Sequence, residues 1–151
     1  VSHRPDQLLP TIRSRCMLVQ VPTKERRPLP REAYQSLEKL LDLCFSGKPS
    51  GVMDWAEEMA ILGRESQKAF MASALLILRQ YYMVFLGLPS LAFLDAASLA
   101  TASRYASRMS ETFFRRIYDR LNTATGQLER NVNGKALFCS LAFDFFLSLQ
   151  R

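Results

Sequence analysis

The chain has 151 residues, of which 48% are apolar and 23% charged, with a formal net charge of +6. A chain of this length suits one domain, can bury about 70% of its unfolded surface, and needs neither disulfides nor a metal to fold; its balance of apolar to charged residues is that of a globular protein and argues against disorder. The positive charge permits contact with nucleic acid but does not demand it, because the basic residues form no single run.

Residues 1–22 are punctuated by proline. Pro5 suits the first turn of a short helix, and Pro10 restricts Leu9 and interrupts the backbone. Met17 to Val21 alternates apolar and polar residues before Pro22, which predicts a short edge strand. Arg13 and Arg15 therefore fall on a tight turn between a helical turn and a strand, where long side chains project away from the core. A guanidinium offered in trans to a phosphate stabilises charge on a transferring group through its planar fork. Cys16 beside them reads as a small packing residue, since no base stands near it in the chain. Residues 23–30 (Thr-Lys-Glu-Arg-Arg-Pro-Leu-Pro) read as a linker.

From Arg31 onward the spacing is helical. The first predicted helix runs from Arg31 to Phe45, with Tyr34, Leu37, Leu40, Leu41 and Cys44 at three- and four-residue steps, and Gly47 and Pro49 stop it. A second starts near Ser50, carries Val52, Trp55, Ala56, Met59 and Leu62, and ends at Gly63. The third, Arg64 to Leu86, is apolar on every side from Ala69 to Leu78, which predicts a central, buried helix; Gly87 and Pro89 end it. Phe93 to Met109 reads as one helix rich in Ala and Ser. Ser110 is a good cap for the next, where Phe114, Ile117, Leu121, Ala124 and Leu128 form one stripe. Asn133 caps the last, Lys135 to Leu149, in which only Lys135 and Asp144 are charged. So much apolar surface predicts either a partner subunit against this helix or burial within the bundle.

No catalytic machinery is legible. The single histidine, His3, sits near an end, which argues against a His-based metal site or a Ser-His-Asp triad, and Cys16, Cys44 and Cys139 lack zinc-ligand spacing, so neither metal nor cofactor is expected. Three widely spaced cysteines and the lack of an apolar signal segment suggest reduced thiols and a cytoplasmic location. Residues 69–88 could span a bilayer in length, but Arg79 in the middle and the lack of a second span favour a core helix. Gly47-Lys48-Pro49-Ser50 echoes the end of a phosphate-binding loop without its first glycine or preceding strand, and Pro49 removes an amide such a loop needs.

Leu8-Leu9-Pro10-Thr11-Ile12-Arg13-Ser14-Arg15-Cys16, preceded by His3-Arg4-Pro5-Asp6-Gln7, resembles the segment that closes the ATPase domain of clamp-loader subunits. The Thr-Ile-Arg before the Ser-Arg-Cys triplet is most similar to the delta-prime subunits of bacterial DNA polymerase III. Two further stretches resemble that family: Gly63-Arg64-Glu65-Ser66-Gln67-Lys68-Ala69-Phe70 is similar to its collar in Bacteroidetes-type sequences, and Glu129-Arg130-Asn131-Val132-Asn133 to its usual ending. The resemblance implies an all-α helical bundle, the clamp-loader collar domain at 31–151, behind a short remnant of an AAA+ ATPase domain at 1–22, in a fragment of a longer protein. The small helical lid that the family carries before its collar has no counterpart in the linker at 23–30.

By resemblance, the chain serves DNA replication. It would form a hetero-oligomer with the gamma/tau and delta subunits that loads the sliding clamp on primed DNA, meeting DNA through the assembled complex, with no membrane involved. Nucleotidyl transfer would belong to the holoenzyme and not to this chain, and Arg15 would be the finger offered to a neighbour's nucleotide. Phe138, Phe143, Phe146 and Leu149 of the last helix, with apolar residues of the third, are the expected subunit contacts. The alternative is a stand-alone helical nucleic-acid-binding domain using Arg104, Arg108, Arg115, Arg116 and Arg120, whose bland counterpart is a solvated basic face. An unrecognised enzyme would need an acid–base pair that the sequence does not single out.

Overall fold

The computed structural model describes residues 29–130 and 132–150. The described residues form six α-helices and no strand: α1 (Arg31–Phe45), α2 (Pro49–Ile61), α3 (Arg64–Phe85), α4 (Ala96–Ala106), α5 (Glu111–Glu129) and α6 (Gly134–Leu149). A single 3-10 turn at Pro89–Leu91 lies between α3 and α4. The all-α class is therefore correct for this region, while the strand expected at Met17–Val21 lies outside the described residues.

Local chemistry explains the ends. Two helices close in Schellman motifs around a glycine in the left-handed region, Gly47 (φ 63°) after α1 and Gly87 (φ 73°) after α3. At the first, Gly47 N–H donates to the Cys44 carbonyl and Lys48 N–H to that of Leu43. At the second, Gly87 donates to Val84 and Leu88 to Met83. Pro49 occupies the first position of α2, where its missing amide costs nothing. Ser110 caps α5, its Oγ accepting from Phe113 N–H at 3.1 Å, and Asn133 Oδ1 caps α6 by accepting from Lys135 N–H at 2.9 Å. The single helix expected over Phe93–Met109 is shorter. Residues 93–95 stay outside it because Asp95 acts as the cap, its carboxylate accepting from Ser98 N–H at 2.7 Å, and residues 107–109 lie beyond its last turn.

Two helices organise the packing. α6 lies chiefly against α2 and α5 and also touches α1, whereas α3 packs on α1, α4 and α5. One continuous core joins them. Its aromatic centre is Trp55, Phe70 and Phe138, each ring 5.7–6.4 Å from the others in edge-on or tilted geometry. Trp55 also ties α2 to α1 through its indole N–H, which donates to the Ser36 carbonyl at 2.9 Å. The expectation of an all-round buried α3 needs correcting. Phe70, Met71, Ala74, Ile77, Leu78 and Tyr81 are buried, but Ala72, Leu76 and Arg79 are exposed because no helix among the described residues covers that side.

Candidate interaction surfaces

Arg15, with Arg13 and the basic cluster Lys24, Arg26 and Arg27, lies outside the described residues. What the bundle itself offers depends on the faces of α6 and α3 and on how its arginines are engaged.

On α6 the four residues expected at a subunit contact divide. Phe138 is fully buried between Trp55 and Phe70, so it belongs to the core and offers a partner no surface. Phe146 and Leu149 are half-buried and pack against that core. Phe143 is 39% exposed, and Leu147, one turn on, is 50% exposed. The physical reason is helical phase: Leu137, Phe138, Leu141, Ala142 and Phe145 recur at three- and four-residue steps and form the buried stripe, which leaves 143 and 147 together on the outer side. Burial within the bundle thus accounts for most of this helix's apolar surface, and two side chains remain over.

The five arginines do not gather into one field. The Arg104 guanidinium lies 4.6 Å from the Tyr105 ring centroid and donates to its hydroxyl at 2.9 Å, and that of Arg108 sits 3.9 Å over the Phe45 ring. Arg115 pairs with Glu111 at 3.5 Å along α5. Arg116 and Arg120 both reach Asp144 on α6, at 3.8 and 2.5 Å, and Arg120 also donates to Ser140 Oγ at 2.9 Å. Between residues 29 and 150 there are 13 Lys and Arg against 12 Asp and Glu, a net +1, so most of the chain's +6 lies elsewhere. A near-neutral bundle in which these five arginines are each engaged internally is a weak phosphate binder.

A tyrosine cluster lies between α1, α3 and α4. Tyr81 OH donates to Glu38 Oε1 at 3.0 Å and Tyr34 OH to Gln80 Oε1 at 2.6 Å, while the Tyr81 and Tyr105 rings stack 5.8 Å apart. Burial, then the Glu38 carboxylate, holds the Tyr81 phenol above its ordinary range. Burial, then the nearby Asp42 carboxylate, does the same for Tyr105. Burial alone pushes the Cys44 thiol up to about 12, so this cysteine is an inert packing residue. Among the described residues no cluster of three or more His, Cys, Asp or Glu could hold a metal, and no helix is long and apolar enough to cross a membrane.

A groove of about 390 Å³ lies between α3 and α5. Leu78, Tyr82 and Phe114 contribute its apolar lining, with the Tyr82 and Phe114 ring centroids 5.1 Å apart and Phe85 against both. Arg79, Met83, Glu111, Arg115, Tyr118 and Asp119 complete the lining. Beyond it the turn after α3 exposes Leu86, Leu88, Leu91 and Phe93, the last in the left-handed region at φ 54°, a conformation a bulky side chain adopts only at some cost.

No family model, curated protein or solved structure matches this chain.

Sequence reasoning missed the groove. Its signal was present in part, since Tyr82, Phe85 and Tyr118 are large apolar side chains beyond the stripes assigned to the core. Only the crossing of α3 with α5 brings them together.

Proposed function

We propose that the chain is an assembly module, the collar domain of a clamp-loader delta-prime subunit. It holds its place among sister subunits through helix–helix contacts while the assembly loads a sliding clamp on primed DNA. The observation that carries this reading is the segment Leu8–Cys16, ending in Ser-Arg-Cys and followed by a chain whose described residues are helical throughout. One feature supports it: the helical bundle leaves Phe143 and Leu147 of α6 and Leu76 of α3 outward as apolar contacts available to another helix. In this reading Arg15 is the trans-acting arginine and DNA is met through the assembly.

The test is the mass in solution of the chain alone and mixed with the ATPase and delta subunits of the same organism. A stable mixed complex that Phe143→Glu abolishes, with the variant still folded, is the expected result. A chain that ignores those subunits would refute the reading.

A further inference from the structure

We propose that the α3–α5 groove is a self-recognition surface through which two copies of this chain pair about a two-fold axis. Two charges stand on its walls. Arg79 stands on α3 and Asp119 on α5; both are exposed and both line the groove. Neither has an ion-pair partner within 4.0 Å among the described residues, although six other pairs form in the bundle. The remaining charged pair at this site, Glu111 with Arg115 at 3.5 Å, is balanced internally and opposes no approach.

Between these walls lie Leu78, Tyr82 and Phe114, with Tyr118 still 48% exposed. One unpaired cation and one unpaired anion on opposite sides of an apolar floor make a self-complementary pattern. A two-fold rotation sets Arg79 of one protomer against Asp119 of its partner, and repeats the pair on the other side. The same rotation lets each Tyr118 enter the opposite groove and brings α3 and α5 of both copies into a four-helix packing. A different partner would have to supply both charges in the same arrangement, whereas a second copy already carries it. The pairing is independent of the collar reading, because it needs no other subunit.

The test is sedimentation of the full chain at about 100 µM, a concentration at which a micromolar Kd saturates. The wild type is expected at twice its 17.2 kDa mass. Arg79→Glu and Asp119→Arg should each weaken self-association about 100-fold, since each sets like charges together twice in the dimer. An equimolar mixture of the two variants should recover the dimer, because both contacts between unlike copies are then oppositely charged, and the double variant R79E/D119R should recover it too. Both sites are exposed, so the far-ultraviolet circular dichroism of the variants should match the wild type. The double variant also guards the test, as recovery of the dimer cannot come from a misfolded chain. A wild type that stays monomeric overturns the proposal, even if Arg79→Glu then weakens binding to another subunit, which would make that subunit the occupant. Single variants that dimerise as well as the wild type overturn it equally.

Discussion

Arg120 of α5 is bound to Asp144 of α6, Nε to Oδ2 at 2.5 Å, with both side chains largely shielded from water. Asp144 is the only acidic residue of its helix, and Arg120 spends the rest of its fork on Ser140 and Gln127. An arginine that reads from sequence as part of a basic face is therefore a tie between two helices. Arg120→Ala should cost about 1.5–3 kcal/mol, the range for a hydrogen bond to a charged group, because only Arg116 at 3.8 Å remains to meet the half-buried carboxylate. Urea denaturation at low and high salt checks this. A loss below 0.5 kcal/mol, or one that vanishes in salt, would mean that the pair behaves as a surface contact.

Phe138 and Phe143 are separated by little more than a turn of α6 and should respond in opposite ways. Phe138→Ala empties the centre of the Trp55–Phe70 cluster and should destabilise the chain by about 3–5 kcal/mol. Phe143→Ala should change stability by no more than about 0.5 kcal/mol, as at other exposed sites. Thermal or urea unfolding of the two variants separates them; equal losses would place Phe143 in the core.

Alkaline pH should destabilise the bundle. Tyr81, Tyr105 and Cys44 all hold their protons more tightly in the folded chain, each chiefly through burial. Raised folded values mean that this stability is whole below the ordinary thiol value of 9.0 and falls as pH climbs past the ordinary phenol value of 10.0. The unfolded chain is then losing protons that the folded chain keeps, at about 1.4 kcal/mol per pH unit for each such group. The Cys44 contribution is spent by about 12. Urea midpoints at pH 8 and pH 10.5 should therefore differ, and Tyr81→Phe should reduce the difference. A wild-type midpoint that does not move would contradict the assignment.

Gln67 of α3 closes the end of α2. Its side-chain N–H donates to the Met59 carbonyl at 3.2 Å and to that of Ala60 at 3.1 Å. The residue is buried, and a Cβ on Gly134 would come within 3.2 Å of its Nε2, so α6 approaches closely here because position 134 has no side chain. Gln67→Leu should cost about 1–3 kcal/mol by taking the side-chain donor from the Ala60 carbonyl and leaving that of Met59 with only the Leu62 N–H at 3.3 Å. The urea midpoint should drop with the denaturant slope unchanged; an unshifted midpoint would show that water replaces the amide.

Most helix boundaries were legible in the sequence because they are set within a few residues of where they occur. Gly47 and Gly87 close their helices through carbonyls three or four residues back, and Ser110 and Asn133 cap theirs through the next amides. The spacing of Leu37, Leu40, Leu41 and Cys44, and of Ile117, Leu121, Ala124 and Leu128, likewise marks the buried side of α1 and α5 without any knowledge of their neighbours. The break before α4 was missed although its signal, Asp95 three residues ahead of Ser98, is equally local.

Faces that depend on a partner helix were decided only in the tertiary structure. α3 and α6 are apolar nearly all round, so their periodicity cannot say which side is covered. The placement of α1, α2 and α5 buried Phe138 and left out Phe143 and Leu147, while the neighbours of α3 left out Leu76 and Arg79. The α3–α5 groove and the capture of Arg120 by Asp144 join residues distant in the chain, and they exist only because the helices cross where they do. Local hydrogen bonding and period are written along the chain, whereas exposure and charge pairing follow from packing between segments.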